Sequence, residues 1–203
     1  KVAFLGVTGE DEFGHLLHRK LSEEGVEPHL RFSKEAPTGL WFVALDERGD
    51  RSFFTPTRAG SADKQLGPAD IERAEPLLKR TAWLHCGSSS HVSPQAQEAL
   101  VAAVAAAGRL GVQVSCDPNL RPHLWKDQAE LRRLLERVLP SCAVVKLSDE
   151  ELEGALGLTQ ADEAAASLLA RGTKLVCITR GPEGAVLYRQ GERLSIAAPR
   201  VEV

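Results

Sequence analysis

The sequence predicts an α/β fold in which helices cover a mostly parallel central sheet. The main observation is a regular alternation, from Gly67 onward, of short apolar strand patterns and helix patterns. Strands are predicted at residues 82–86, 112–116, 143–147 and 175–179. A fifth strand, at residues 2–5, is expected to join the same sheet. With 203 residues, the chain is long enough for one domain with a sizeable core.

The chain opens with a strand, a turn and one amphipathic helix. Residues 6–9 contain two glycines and are predicted to turn the chain into a helix at residues 12–24, which Gly25 ends. Apolar residues mark one face of this helix at helical spacing: Phe13, Leu16, Leu17 and Leu21. The turn is interpreted as structural, and phosphate binding is the open alternative.

A hairpin interrupts the alternation of strands and helices. Residues 40–45 and 51–55 are strand-like and flank a polar, glycine-containing loop at residues 46–50. The polar flanks indicate that at least one face of the hairpin is exposed. We therefore expect it to stand apart from the main sheet as a lid.

Capping residues predict the helices of the second half. Ser93 before Pro94 starts a helix that runs to residue 107, and Asp127 starts another that Pro140 closes. Further helices are predicted at residues 68–79, 148–156 and 159–171. A second hairpin, at residues 185–188 and 193–197, follows the last of these strands.

The amino-acid composition argues against several classes of function. The formal net charge of -3 offers no basic patch to nucleic acid or an anionic membrane, and the longest apolar stretch, residues 99–107, is half a bilayer span. The four cysteines form no C-x-x-C pair and lie in or beside apolar runs. This pattern indicates buried thiols in a reducing compartment rather than disulfides or metal ligands. We expect a cytoplasmic protein without nucleic-acid or membrane partners.

Both ends of the sequence suggest a piece of a longer protein. Lys1 lies inside an apparent strand pattern, and no Met occurs anywhere. Residues 200–203 resemble a strand that stops without a partner. We therefore expect the chain to be truncated at both ends.

Polar residues follow the predicted strand at residues 112–116. Asp117 ends that strand, Pro118 turns the chain, and Asn119 and Arg121 come next. Ligands of α/β sheets bind outside the carboxyl ends of strands, so an acid, an amide and a guanidinium there are candidates for ligand chemistry. The alternative is a polar loop in which Asp117 is only a turn acceptor.

Two further loops carry polar residues at the carboxyl ends of the next strands. Their candidate residues are Lys146, Ser148, Glu151, Thr179, Gly181 and Gly184. The three loops are expected to line one crevice suited to a nucleotide and its metal. Each has a structural alternative, because Ser148 and Glu151 form a capping-box pattern and the glycines could form only a tight turn. Since Gln can also close a capping box, Glu151→Gln is expected to leave stability almost unchanged.

These residues resemble the ribokinase-like (PfkB-type) carbohydrate kinases, in the branch of fructokinases and 2-keto-3-deoxygluconate kinases. Residues 117–125 resemble the branch's D-P-N-x-R-x-x-L-W stretch, and residues 9–14 are similar to G-[DE]-D-x-F-G. Residues 148–151 resemble the family's N-x-x-E segment, with Ser148 in place of the Asn. The turn at residues 179–184 resembles the family's nucleotide-side turn. The resemblance covers the whole chain.

The resemblance implies a ribokinase-like three-layer sandwich, with residues 1–203 as a partial kinase domain and residues 36–60 as much of a β lid. It implies ATP and Mg²⁺ as cofactors, with Glu151 organising Mg²⁺ through water. Whether a monovalent cation is also required stays open. The nucleotide-binding residues would be Lys146, Ser148, Thr179, Gly181 and Gly184. The residues that bind the small-molecule sugar would be Asp117, Asn119, Arg121, Thr38 and Gly39.

The catalytic base is expected outside these residues. In the resembled family an Asp in a G-A-G-D motif takes the hydroxyl proton, and we expect that motif just beyond Val203, so the isolated chain should be inactive. Two alternatives stay open: a 2-keto-3-deoxygluconate kinase, whose substrate carboxylate Arg121 would bind, and a non-catalytic sugar- or nucleotide-binding module. A homodimer through the lid is compatible with each. The absence of G-x-G-x-x-G argues against an NAD-dependent enzyme.

Overall fold

The computed structural model describes residues 1–45, 51–54, 60–89, 91–125 and 127–200. Its strands are β1 (Val2–Gly9), β2 (Val26–Ser33), β3 (Phe42–Leu45), β4 (Arg51–Phe54), β5 (Trp83–Cys86), β6 (Gln113–Cys116), β7 (Val144–Ser148), β8 (Leu175–Thr179), β9 (Ala185–Arg189) and β10 (Glu192–Ile196). Its α-helices are α1 (Glu12–Glu23), α2 (Pro68–Arg73), α3 (Glu75–Leu78), α4 (Pro94–Leu110), α5 (Gln128–Val138), α6 (Leu152–Leu156) and α7 (Ala161–Ala170).

Six strands form the main sheet, in the order β10-β9-β8-β7-β6-β5. The strands from β5 to β8 run parallel, and β9 and β10 continue the sheet antiparallel. Burial alternates along β6, β7 and β8, because successive side chains of a strand point to opposite faces. The predicted α/β fold with a mostly parallel sheet is confirmed, as are the four predicted strands from residue 82 onward and the hairpin that follows them.

The prediction that the first strand joins this sheet is wrong. β1 continues through residues 6–9, where a turn was expected, and pairs in parallel with β2 in a separate two-stranded sheet. At Gly9 the extended strand passes close to the Thr38 backbone. A Cβ at this position would come within 2.5 Å of the Thr38 nitrogen, so the close approach requires glycine. β2 has no apolar alternation in the sequence, because Glu27, Pro28 and Arg31 interrupt it. Pro28 is tolerated since β2 pairs on one side only within the described sheet.

The helices begin at the predicted capping residues. Ser93 Oγ accepts a hydrogen bond from the Ala96 N–H at 3.3 Å, and Asp127 Oδ1 accepts one from the Ala129 N–H at 2.8 Å. α4 extends past the predicted end to Leu110, where Gly111 closes it with φ 73°. The single helix predicted at residues 68–79 is wrong in detail. It consists of α2 and α3, because Pro76 has no N–H with which to continue the helical ladder.

The β3–β4 hairpin stands outside the main sheet, as predicted. Its strands pair antiparallel with each other, with Phe42 opposite Phe54 and Leu45 opposite Arg51. β3 is exposed along its whole length. The predicted loop at residues 46–50, and the last residue of the strand predicted at residues 51–55, lie outside the described residues.

The core packs α5 and its neighbours against the middle of the main sheet. The fully buried side chains include Leu131, Leu134, Leu135, Leu147, Leu152, Leu168 and Ile178. The apolar positions of α5 recur at helical spacing and face this core, which is why the helix forms where the sequence pattern places it. In the described parts of the chain, no helix has the length and apolar character that crossing a membrane requires.

A partly buried ion pair connects β2 to α2. Arg31 donates through Nε to Asp70 Oδ1 at 2.7 Å and through Nη2 to Asp70 Oδ2 at 3.1 Å. Asp70 is only 7% exposed and also accepts hydrogen bonds from Arg73 and the Gly67 N–H. Burial would raise the pKa of Asp70, but the Arg31 and Gly67 hydrogen bonds hold it below its ordinary value of 3.8 overall.

Replacing Asp70 by Asn should therefore change how stability depends on pH. A depressed carboxyl pKa contributes stability that is present above the ordinary value and is lost as the pH falls through the folded-state pKa. We expect Asp70→Asn to lower the free energy of unfolding by roughly 1–3 kcal/mol at neutral pH, and to flatten its decline in acid. Thermal unfolding over a pH series measures both effects.

The control is Glu98→Gln, which removes an exposed partner of Arg137 and should change the profile far less. Profiles of equal slope for wild type and Asp70→Asn would contradict the assignment of this ion pair.

Candidate functional site

The carboxyl ends of β6, β7 and β8 bring the predicted polar residues to one edge of the main sheet. Ser148 ends β7 directly opposite Thr179, which ends β8, and Asp117 follows the last residue of β6. Lys146 Nζ lies 3.1 Å from Asp117 Oδ2 and 3.4 Å from Oδ1. The structure thus pairs an acid from the first predicted loop with a cation from the second.

The loop after β6 is held against the loop after β5. The Asp117 N–H donates to the Cys86 carbonyl at 3.0 Å, and Ser88 donates to the Pro118 carbonyl through its N–H at 3.0 Å and its hydroxyl at 2.6 Å. A Cβ on Gly87 would lie 2.9 Å from the Asp117 carbonyl oxygen, so the approach needs glycine. Sequence reasoning assigned no role to Gly87 and Ser88, although a small residue pair directly after a strand was a usable signal.

Asn119 turns this loop with an unusual backbone conformation. Its φ of 47° is the only positive value at a described non-glycine residue. Asn enters the left-handed region at a lower cost than most residues do. Arg121, two residues later, donates from Nη1 to the Leu120 carbonyl at 2.8 Å, so its guanidinium folds back over its own loop.

Glu151 joins the first loop to the second. Its Oε2 accepts the Ser148 N–H at 2.8 Å, which closes the predicted capping box. Its Oε1 accepts the Leu120 N–H at 2.5 Å, a contact that no local pattern predicts. Both carboxylate oxygens therefore hold backbone N–H groups, and each retains a second lone pair for a further partner.

The third loop is a closed glycine turn. The Arg180 N–H donates to the Gly184 carbonyl at 2.7 Å, and the Gly184 N–H donates to the Gly181 carbonyl at 3.1 Å. Gly181 and Gly184 have φ of 51° and 92°, where L side chains are strained. A Cβ on Gly184 would also lie 2.7 Å from the Ala198 backbone nitrogen. Thr179 donates only a long hydrogen bond, 3.4 Å, to the Leu147 carbonyl.

Thr38 is held by Asp11 at the base of the hairpin. The Thr38 N–H and hydroxyl donate to the two oxygens of Asp11 at 2.8 and 2.7 Å. Asp11 Oδ1 also accepts the Gly14 N–H at 2.8 Å and so caps α1. Burial would raise the pKa of Asp11, but the Thr38 and Gly14 hydrogen bonds lower it overall. Sequence reasoning assigned no role to Asp11, although an Asp directly before a helix pattern is an N-cap signal.

Gly39 lies against a second acid that received no role from the sequence. A Cβ on Gly39 would come within 2.9 Å of Asp63 Oδ1. That oxygen is buried and has no hydrogen-bond partner among the described residues. Within the described part of the chain, no hydrogen bond or ion pair links Thr38 or Gly39 to the residues at the sheet edge. The structure therefore gathers the predicted residues into two groups.

The described residues include no cluster of three His, Cys, Asp or Glu side chains arranged to hold a metal ion. At the sheet edge, two carboxylates contact predicted nucleotide residues: Glu151 accepts the Ser148 N–H, and Asp117 pairs with Lys146. Glu151 fits the water-mediated contact that Mg²⁺ favours, because its oxygens keep free lone pairs while the backbone holds the carboxylate in place.

Comparison with known proteins gives consistent results. A model of the family described as pfkB family carbohydrate kinase matches residues 1–203. Fructokinase-2 of Solanum lycopersicum is 37% identical over 190 residues, which are 93% of this chain and 57% of that protein. The chain therefore spans little more than half the length of this relative.

Solved structures agree with the sequence comparison. Fructokinase from Vibrio cholerae O395, crystallised with fructose, ADP and calcium ion, has a TM-score of 0.85 and 32% identity, covering 98% of this chain and 64% of that one. Aminoimidazole riboside kinase from Salmonella enterica, complexed with aminoimidazole riboside and an ATP analog, has a TM-score of 0.83 and 25% identity, covering 99% and 64%.

The double use of Glu151 corrects the expectation for Glu151→Gln. In a Gln side chain an NH2 group replaces one of the two oxygens, so it would face the N–H of either Ser148 or Leu120 and that hydrogen bond would be lost. We expect Glu151→Gln to lower the free energy of unfolding by roughly 1–3 kcal/mol, measured by urea denaturation. The neighbouring exposed Glu150 is the matched control, and Glu150→Gln should stay within roughly 0.5 kcal/mol of wild type. Equal stability of the two variants would show that the Leu120 contact contributes nothing.

Two glycines in helices test the packing around Asp11. A Cβ on Gly14 would overlap the Gly9 carbonyl oxygen, whereas a Cβ on Gly108, in α4, would meet nothing within 4 Å. Gly14→Ala should destabilise the protein by roughly 1–3 kcal/mol through overpacking. Gly108→Ala should stabilise it by roughly 0.5–1 kcal/mol because it removes backbone freedom from the unfolded chain. Denaturation of both variants is the measurement, and a stabilising Gly14→Ala would contradict the close approach of α1 to β1.

Proposed function

Because the chain belongs to the pfkB family of carbohydrate kinases, we propose that the complete protein transfers a phosphoryl group from ATP to a sugar hydroxyl, with fructose as the first substrate to test. The observation that carries this proposal is the edge of the main sheet, where Asp117, Lys146 and Glu151 come together at the ends of parallel strands. Fructose is preferred because several relatives are fructokinases.

The nucleotide would lie along the second and third loops of this edge. Lys146 and Ser148 are at the end of β7, and the Thr179–Gly184 turn lies beside them across the strand pair. A Cβ on Gly181 would meet nothing within 4 Å, so there is space beside its backbone for phosphate or ribose. Glu151 would organise Mg²⁺ through water, and the bound ion would neutralise charge on the phosphates.

The sugar would lie nearer Asp117, Asn119 and Arg121. The Asp117–Lys146 ion pair places a negative and a positive group at the junction between sugar and phosphates. In phosphoryl transfer the protein mainly positions reactants and stabilises charge, and rigidly held loops serve both tasks. The Ser88 and Glu151 contacts supply that rigidity here.

Thr38 and Gly39 would act at the base of the lid. Residues 36–60 would form much of that lid, with the β3–β4 hairpin closing over the sugar or pairing two protomers. Thr38 has its hydroxyl committed to Asp11 and Gly9, so its contribution would be to hold the hairpin rather than to contact substrate directly.

The proton-accepting Asp would come from a Gly-Ala-Gly-Asp segment, which the 203 residues do not contain. A 2-keto-3-deoxygluconate kinase is the second candidate, since Arg121 donates to a backbone carbonyl through Nη1 and has further N–H groups for a substrate carboxylate. A sugar- or nucleotide-binding module without catalysis is the third candidate. Either kinase could also use a monovalent cation. We place the protein in the cytoplasm, without nucleic-acid or membrane partners.

An assay of ADP release by the complete protein tests this function. Fructose, ribose, 2-keto-3-deoxygluconate and nucleosides are compared with Mg-ATP, and we expect fructose to give the highest kcat/KM. Asp117→Asn should lower kcat/KM by roughly 10²-fold or more, because the Lys146 charge loses its partner at the reacting junction. Asp149→Asn, at a nearby exposed position, is the control and should change it little.

The 203-residue chain assayed alone should release no ADP above background. Loss of a general base costs roughly 10²–10⁴-fold. Turnover of the isolated chain at about 1–100 per second would place the base within these residues. Nucleotide binding by the complete protein without turnover on any sugar would favour the binding module instead.

A further inference from the structure

Three cysteine thiols meet under the loop that carries Asp117. Cys86 and Cys116 are the last residues of β5 and β6 and lie opposite each other in the parallel ladder. Cys142 lies two residues before β7 and packs in the same apolar cluster as Cys86 and Cys116. All three are free. Sequence reasoning recognised buried thiols but could not show that they converge.

The three thiols differ in access to solvent. Cys116 is 2% exposed and Cys142 is 1% exposed, whereas Cys86 is partly exposed. A small reagent can therefore reach Cys86 first, and the product would then face a buried thiol rather than water. This combination of one accessible thiol and one sheltered neighbour is typical of cysteines that form a disulfide after oxidation.

Cys86 also lies close to a histidine without a function in the proposed kinase. The His91 ring interacts electrostatically with the Cys86 thiol, and its Nδ1 is buried with no hydrogen-bond partner among the described residues. Burial lowers the pKa of His91, which favours the neutral form of its ring. Contact with the Cys116 thiol lowers the pKa of the Cys86 thiol, which favours the nucleophilic thiolate.

We propose that Cys86 is a peroxide-reactive cysteine and that Cys116 resolves its oxidised form into a disulfide. The Cys86 thiolate attacks one oxygen of hydrogen peroxide; the S–O bond forms, the O–O bond breaks, and the departing hydroxide leaves as water with the proton that the Cys86 thiol gave up. The Cys116 sulfur then attacks the Cys86 sulfenic acid; the S–S bond forms, the S–O bond breaks and a second water leaves. The two cysteines lose two electrons, which the peroxide accepts.

The ladder register selects Cys116 as the resolving thiol. Neighbouring strands are about 4.8 Å apart, a separation inside the range of roughly 4.4–6.8 Å between the Cα atoms of a disulfide. Cys142 stands outside this ladder and donates its thiol hydrogen to the Val138 carbonyl at 3.4 Å. The disulfide would link the two strand ends that position Gly87 and Asp117, so oxidation would act directly beneath the sheet edge. The inference does not depend on the proposed kinase activity.

The test is a disulfide map of the complete, folded protein after treatment with hydrogen peroxide. Free thiols are blocked with N-ethylmaleimide and the protein is digested with trypsin. Each cysteine of this chain falls in a different expected peptide, at residues 81–109, 110–126, 138–146 and 175–180. We expect a cross-link between the first two peptides, with the loss of two hydrogen atoms, that dithiothreitol reverses.

Variants separate the two roles, with folding checked by circular dichroism. Cys86→Ala should abolish the cross-link and slow peroxide-dependent thiol loss roughly tenfold or more. Cys116→Ala should leave Cys86 as a sulfenic acid that dimedone traps. Cys177→Ala is the matched control, since Cys177 is partly exposed but outside the cluster, and it should behave as wild type.

The wild-type map decides the question even where a variant fails to fold. A dominant cross-link to the Cys142 peptide, oxidation of Cys177 as fast as Cys86, or no cross-link in folded protein would each overturn the proposal.

Discussion

The carboxylate of Glu151 is the constraint on which the arrangement of the sheet edge depends. One oxygen accepts the Ser148 N–H in the capping box, and the other accepts the Leu120 N–H of the preceding loop. The end of β7 and the loop after β6 are therefore held at one relative position. The Asp117–Lys146 ion pair joins the same two strands, so the hydrogen bonds of Glu151 also help to hold Asp117 and Lys146 at their present distance. A carboxylate used in this way can hold a loop and still offer lone pairs outward.

At the base of the hairpin, a second carboxylate joins separate segments of the chain in the same way. Asp11 caps α1 through Gly14 and accepts two hydrogen bonds from Thr38, while Gly9 lies close against both. One partly buried carboxylate thus connects a strand end, a helix start and the base of the hairpin. The glycines on either side are required by space, because a Cβ at either position would overlap its neighbours. The family motif at residues 9–14 has a structural explanation in this packing.

The sequence patterns predict well where the physical cause is local. Alternating apolar residues identify β6 to β8, Ser93 and Asp127 identify helix starts, and Ser148 with Glu151 identifies a capping box. They fail where the cause lies elsewhere in the chain. β2 forms by pairing with β1 despite its polar pattern. One local signal was also missed, since the helix predicted at residues 68–79 is interrupted at Ala74, two residues before Pro76.

By itself, the sequence determined the α/β class, the strand and helix succession of the second half and the residues that form the sheet edge. These follow from periodicity, caps and motifs, which act over a few neighbouring positions. Only the tertiary structure decided that Glu151 reaches Leu120, that Thr38 is bound by Asp11, and that Cys86, Cys116 and Cys142 converge. Each of these contacts joins residues about 25 or more positions apart, and it exists because parallel pairing and packing bring distant strand ends together. The spacing of residues along the chain does not show which of them lie close together in the folded protein.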